Sequence, residues 1–297
     1  MLPSHYVSYL DLASQGVVSI RTADDSGLAN VSDTAKTFFS FEEEFQRYES
    51  YKWIYRNWSW SLILAAAYVG LVFLGQWYMR DREPFKLKGP LVFWNFGLAV
   101  FSTVGAARTL PELFESVYHH SFYHSVCIPS YYGENNVTAC WTWLFAMSKV
   151  PELLDTAFIV LRKQRLIFLH WYHHATVLMY TWYSFAGYTA SGRWFISMNF
   201  TVHALMYTYY MLRAMKVHVP RTLAMLITVA QIAQMFLGIV VNARAAKALG
   251  EGSVCSVTQR NITVSMLMYA TYFMLFVNFF IAAYTRRSQR RQVKKVQ

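Results

Sequence analysis

His170-Trp171-Tyr172-His173-His174 lies inside the apolar run from about Leu166 to Ala186. In a helix, residues at i, i+3 and i+4 fall within about 100° of the wheel, so these imidazoles share one face. The run is long enough to cross a bilayer, and ionisable side chains at that depth mark functional sites. The plain alternative is that the histidines only hydrogen-bond neighbouring helices together. That account suits one buried imidazole better than three on one face. The stretch therefore reads as a membrane helix that carries chemistry.

Composition agrees. The chain has 297 residues, of which 55% are hydrophobic, 18% aromatic and only 14% charged, too apolar for an ordinary soluble domain of this length. A net charge of +11 raises the question of nucleic acid, but its distribution argues against that partner. Arg286, Arg287, Arg290, Arg291, Lys294 and Lys295 crowd the C-terminal end, and most other cations sit in short loops between apolar runs. This pattern suits anionic headgroups or ligand phosphates. No basic start followed by an apolar core stands near Met1, so no cleavable signal peptide is expected.

Seven apolar runs are expected to span, at roughly 58–78, 91–108, 141–161, 166–186, 194–212, 221–243 and 262–284. Residues 1 to about 44 read as a polar, weakly structured tail, and Phe45 to Asn57 as a short interfacial helix. The division is a lumenal tail with its interfacial segment at 1–57, a transmembrane catalytic domain at 58–284 and a basic cytosolic tail at 285–297. The loops after runs one, three, five and seven are the Lys/Arg-rich ones, which makes them cytosolic. The N-terminus is then lumenal and the C-terminus cytosolic. Three N-x-S/T tripeptides, at Asn30, Asn136 and Asn261, fall on the lumenal side and are candidate glycosylation sites. Cys127 and Cys255 lie in separate lumenal loops and are the favoured disulfide, with Cys140 left free at the edge of the third run. None of the cysteines lies near the histidines, which argues against a cysteine nucleophile.

Depth, counted from the nearest cytosolic cation at ~1.5 Å per residue, brings other polar groups level with the histidines. His173 lies ~12 Å beyond Arg165, Asp155 and Glu152 ~10 and ~15 Å from Arg162, and Lys149 ~20 Å away. His203 lies ~15 Å from Arg213, with Tyr207 and Tyr210 shallower on its face; Gln231 lies ~15 Å from Arg221, with Gln234 one turn on, and Asn95 ~10 Å from Lys88. Hydrocarbon penalises each such group, so five helices sharing one slab predict a common chamber on the cytosolic side of mid-membrane. Some of these groups also have scaffold readings. Lys149 and Glu152 can pair at i, i+3, and the glutamines and tyrosines can serve as packing or ligand-orienting groups. His119, His120 and His124 sit in a lumenal loop away from the chamber and read as surface residues.

The same residues carry a family likeness. Lys149 to Thr156 (KVPELLDT) reads K-x-x-E-x-x-D-T, and His170 to His174 reads H-x-x-H-H. His203 to Tyr210 (HALMYTYY) reads H-x-x-M-Y-x-Y-Y, and Thr228 to Gln234 (TVAQIAQ) reads T-x-x-Q-x-x-Q. In this order, from about Trp58 to Tyr284, the chain closely resembles the very-long-chain fatty acid elongase family, the 3-ketoacyl-CoA synthases of the endoplasmic reticulum. Tyr172 and the stretch KQRLIFLHWYHH resemble the branch acting on saturated and monounsaturated chains such as palmitoyl.

The resemblance implies an all-α protein of seven transmembrane helices, six forming a barrel around an acyl-chain tunnel. It implies condensation of acyl-CoA with malonyl-CoA, releasing CO2 and CoA, with no cofactor and no metal. It also implies a ketoreductase, a dehydratase and an enoyl reductase as partners in the cycle, and it is compatible with a homodimer. The Lys294-Lys295-Val296-Gln297 end is similar to a di-lysine retrieval signal of the endoplasmic reticulum.

By resemblance, the nucleophile is His173, forming an acyl-imidazole, with His203 assisting decarboxylation or stabilising the enolate. His170 and His174 orient the site, with Asp155 available to fix a tautomer. Direct attack in a ternary complex, with histidines acting only as acid–base groups, stays open at this point. Arg162, Lys163, Arg165, Arg213, Lys216, Arg221, Arg286 and Arg287 are candidates to hold the phosphates of coenzyme A. Two rivals remain: a di-iron desaturase or hydroxylase, which needs more histidine boxes than this chain has, and a seven-helix receptor or transporter.

Overall fold

The computed structural model describes residues 38–133 and 135–285, and its regular elements are all helical within them. Two short N-terminal helices, α1 (Ser40–Glu43) and α2 (Arg47–Asn57), precede the long α3 (Trp60–Met79) and α4 (Lys88–Glu115). A π-helical turn (Ser116–His120) leads into α5 (Phe122–Cys127) and α6 (Ser130–Gly133). Then come α7 (Asn136–Ser148), a 3-10 turn (Pro151–Leu153) and α8 (Leu154–Leu161). The chain finishes with α9 (Phe168–Ala186), α10 (Gly192–Ala214), α11 (Arg221–Gly250) and α12 (Gln259–Phe280), the last running on as a π-helical turn (Ile281–Thr285). Asn30, Arg286, Arg287 and the KKVQ end lie outside the described residues.

Four of these segments, Trp60–Met79, Lys88–His120, Arg221–Gly250 and Gln259–Tyr284, are long and apolar enough to cross a membrane. The chain is therefore a multi-pass helical membrane protein. The three other expected runs are helical too, but their composition is diluted by the groups that make the site. The run at 141–161 is divided at Pro151, which has no N–H to donate and ends the regular helix there. The second run continues past Arg108 because that charge is not a boundary; its guanidinium is buried against Glu42. The sixth likewise extends through Arg244 to Gly250.

Helix α4 packs along α10, α10 on α11, α11 on α12 and α12 on α9, while α7 touches both α9 and α4. Helix α3 stands beside this set, against α8 and α9. Two glycines allow the close approaches. A Cβ at Gly105 would collide with the Phe200 ring, and one at Gly238 with the Tyr269 ring.

The disulfide-bearing end of the bundle is tightly braced. Cys127 and Cys255 are joined by a disulfide, and Cys140 is free and buried. The segment from Phe38 to Asn57 differs from the expected tail and interfacial helix, because it packs into the body. Ile54 is 0% exposed between α7 and α9, and Tyr51 donates to the Ala186 carbonyl at 2.9 Å. Glu42, placed by its sequence in the polar tail, is 0% exposed. Arg108 donates to both of its oxygens (2.9 and 2.8 Å), and Trp141 Nε1 donates at 2.7 Å. Arg193 is similarly buried, donating to Ser116 Oγ, Ser130 Oγ and the Ile128 carbonyl, with Glu112 at 3.1 Å. His124 is half-buried against Ser116 at 3.0 Å, unlike the exposed His119 and His120.

Two glycosylation candidates also read differently in three dimensions. Asn261 is 3% exposed, accepts from Tyr180 and donates to Thr189, so no glycan fits there. The Asn136 amide donates to the carbonyls of Glu42 and Glu43, which ties it to α1 rather than leaving it open. A tripeptide records sequence only; exposure of its amide is a tertiary property.

Candidate active site

The expected chamber is present as a cavity of about 590 Å³ lined from α4, α8, α9, α10, α11 and α12. His170, His173 and His174 enter from α9, and Asn199, His203, Tyr207 and Tyr210 from α10. Asn95 (α4), Asp155 (α8), Gln231 and Gln234 (α11) complete the polar lining. Leu91, Val202, Met206, Met235, Phe276 and Phe279 supply apolar wall. His173 and His203 thus share one enclosure, as the depth argument required.

The first shared feature is a set of imidazoles fixed by neighbours of different chemistry. His173 lies with its ring 4.7 Å from that of Tyr272, and its Nδ1 is buried with no hydrogen-bond partner among the described residues. The Tyr272 hydroxyl engages Thr176 at 2.5 Å and reaches the His173 carbonyl at 3.4 Å. His170 Nε2 meets Thr156 Oγ1 at 3.0 Å, and Thr156 in turn meets the Tyr68 hydroxyl of α3 at 2.6 Å. The helix beside the chamber therefore reaches into it through one hydroxyl relay. His170 and His174, one turn apart, have ring centroids 4.5 Å apart.

Asp155 is held by two neutral donors. Trp94 Nε1 bonds one carboxylate oxygen and the Tyr207 hydroxyl the other, each at 2.6 Å. His174 Nε2 stands 4.0 Å away, beyond hydrogen-bond reach, so Asp155 does not fix that tautomer by direct contact here. Tyr207 is correspondingly engaged with Asp155 and only 1% exposed, which removes it as a ready donor to a substrate carbonyl.

Lys149 and Glu152 sit behind the chamber wall rather than in it. They pair at 2.8 and 3.1 Å, both buried, and Ser148 adds a bond to Glu152 at 2.8 Å. The ammonium also lies 4.0 Å from the Phe145 ring centroid and 3.2 Å from Asn199 Oδ1. Asn199 Nδ2 meets His203 Nε2 at 3.1 Å. Buried ions are tolerated when each is paired and its remaining valences are satisfied, and this cluster meets that condition.

Among the cations, Arg162, Arg165 and Arg213 line the chamber's mouth. Lys163 does not; its ammonium caps the carbonyls of Arg80 and Arg82 at 2.9 Å each, in a left-handed residue (φ 51°) that ends α8. Arg221 is also occupied elsewhere, donating to the carbonyls of Ala283 and Tyr284. Lys216, exposed just after α10, is not part of the lining. Gln231 donates to Met206 Sδ at 3.4 Å, and Asn95 donates to Leu91 O at 2.7 Å.

Sequence reading missed Trp94, Asn199, Tyr68 and Tyr272. Asn199 had a usable signal, since it stands at i−4 from His203 on one helical face. The other three are aromatic residues among many, with nothing local to single them out.

A membrane-embedded helical bundle with a histidine-lined, cation-mouthed chamber is the class this geometry defines. The sequence matches the ELO: GNS1/SUR4 family over residues 53–292. It is 49% identical over 258 residues to very long chain fatty acid elongase 6 of Drosophila melanogaster, covering 86% of this chain and 81% of that protein. It is 44% identical over 255 residues to very long chain fatty acid elongase 6 of Homo sapiens, covering 86% and 96%. Putative fatty acid elongase 3 of Caenorhabditis elegans is 44% identical over 272 residues, covering 91% and 83%. The chain belongs to the ELO family.

Proposed function

We propose that this chain is the condensing enzyme of fatty acid elongation, a 3-oxoacyl-CoA synthase. It joins a long-chain acyl-CoA to malonyl-CoA, with loss of CO2 and CoA, and yields a 3-ketoacyl-CoA two carbons longer. Family membership and the elongase relatives support the reaction class. The structural observation that carries the reading is the union, in one cavity, of imidazoles, an arginine-lined mouth and apolar wall.

The chemistry follows from what each group can supply. His173 attacks the acyl thioester carbonyl, and the C–S bond breaks to release CoA as the thiolate. The acyl-imidazolium so formed passes its ring N–H proton to that thiolate, leaving a neutral acyl-imidazole and the CoA thiol. Malonyl-CoA loses CO2, and the electron pair of the broken C–C bond becomes an enolate. The enolate attacks the acyl carbon, the C–N bond breaks, and the departing imidazolate takes up one proton from solvent, which restores neutral His173. The place of His173 in the cavity lining, with its ring seated against Tyr272, supports this residue as the nucleophile. Arg162, Arg165 and Arg213 hold the phosphates of coenzyme A, and the closed wall limits competing hydrolysis.

The substrates are saturated and monounsaturated chains near palmitoyl, a reading supported by the relatives named elongase 6. Seven helical passes cross the membrane of the endoplasmic reticulum, with the N-terminus lumenal and the KKVQ end cytosolic. Six of them enclose the acyl tunnel, supported by the packing order from α4 through α10, α11, α12 and α9 to α7. The product passes to a ketoreductase, a dehydratase and an enoyl reductase.

Purified protein in detergent is given labelled malonyl-CoA with a panel of acyl-CoAs. The expected product is 3-ketoacyl-CoA without added metal or nucleotide. Incubation with acyl-CoA alone is expected to leave an acyl adduct on the peptide carrying His173. A product formed at wild-type rate by His173→Ala would overturn the assignment of the nucleophile.

A further inference from the structure

Lysine has donors only, so its contact with Asn199 settles which end of that amide faces it. Lys149 Nζ lies 3.2 Å from Asn199, and the atom it meets must be the carbonyl Oδ1. The amide nitrogen is then turned to His203, 3.1 Å from Nε2. An amide N–H donates, so Nε2 must offer its lone pair. A neutral imidazole with an unprotonated Nε2 carries its proton on Nδ1.

We propose that Lys149, acting through Asn199, fixes His203 as the Nδ1–H tautomer, so that His203 offers its substrate an N–H rather than a lone pair. Both ends of this relay are immobilised. Lys149 is 3% exposed and anchored by both oxygens of Glu152, and Asn199 is one helical turn from His203. The nearest carboxylate oxygen to Nδ1, Glu152 Oε2, is 3.9 Å away, too far to capture that proton.

For the reaction proposed above, on which this part rests, the consequence is specific. His203 donates a hydrogen bond to the enolate oxygen that forms as CO2 departs, and no proton is transferred. It does not act as a general base. Lys149 and Asn199 are positioning residues, and the role of the buried Lys149–Glu152 pair becomes orientation of the amide.

The test uses full-length protein labelled with 15N-histidine, with the His203 resonances identified by their loss in His203→Gln. Wild-type protein is expected to give a protonated-nitrogen shift at Nδ1 and an unprotonated one at Nε2. The opposite pattern overturns the proposal whatever the variants do. In Asn199→Asp the carboxylate accepts where the amide donated, so protonation at Nε2 is expected. Its kcat should fall at least about tenfold while KM for malonyl-CoA stays within about twofold. An unchanged His203 spectrum in a folded Asn199→Asp protein also overturns it. If the wild type forms no 3-ketoacyl-CoA, the condensing reading fails separately, because the tautomer is read without turnover.

Discussion

Both ends of the bundle bury charge, yet only one of them is a site. At one end, Glu42 meets Arg108 and Trp141, Arg193 meets Glu112, Ser116 and Ser130, and Cys127 is joined to Cys255. There the polar groups fasten chain segments to one another. At the histidine-bearing end, buried polar groups surround about 590 Å³ of space. Buried charge alone therefore does not identify chemistry. Adjacent volume lined by several imidazoles does.

That contrast can be broken at either end. The largest effect is expected from His173→Ala, which should remove 3-ketoacyl product below detection while the protein keeps its melting temperature within a few degrees, since only one side chain is trimmed. Loss of melting temperature instead would make His173 a brace like those at the disulfide-bearing end. Cys127→Ser with Cys255→Ser should do the reverse, costing about 2–5 kcal/mol of stability. Activity per folded molecule should persist, as measured by thermal inactivation with and without reductant.

Glu42→Ala should cost about 3 kcal/mol by removing the buried carboxylate that accepts from Arg108 and Trp141. The same residue gives that end a pH signature. Burial alone would raise the Glu42 carboxyl, but hydrogen bonds from Arg108, Trp141 and the Phe38 amide hold it below its ordinary 4.5. Its contribution is thus complete above pH 4.5 and is lost as pH falls through the lowered value of the folded protein. The melting temperature of the wild type should drop across that acid window, and Glu42→Gln should flatten the drop. The smallest effect is expected at the mouth. Arg162→Ala with Arg165→Ala should raise KM for acyl-CoA about tenfold, and added salt should mimic part of the change in wild-type protein.

Legibility in the sequence followed the range of the physics involved. The histidines at i, i+3 and i+4 announce their shared face locally, and counting depth from the cytosolic cations brought residues of five helices to one level. Asp155, His203 and Gln234 line the chamber as that count required. Lys149 and Glu152 passed the same count but stand behind the wall, because depth along a helix does not give its rotation. Lys163 and Arg221 failed for a related reason. A loop cation looks available in sequence, whereas here each satisfies carbonyls at a helix end.

By itself, the sequence determined the membrane class, the histidine face, the depth of the polar slab and the family likeness, since hydrophobic length and helical period act over a few turns of one chain. Only the tertiary structure decided that Glu42 and Asn261 are buried, that Trp94 and Tyr207 clamp Asp155, and that Asn199 links Lys149 to His203. Those outcomes depend on which faces of separate helices meet, and helix rotation is fixed by packing such as Gly105 against Phe200 and Gly238 against Tyr269.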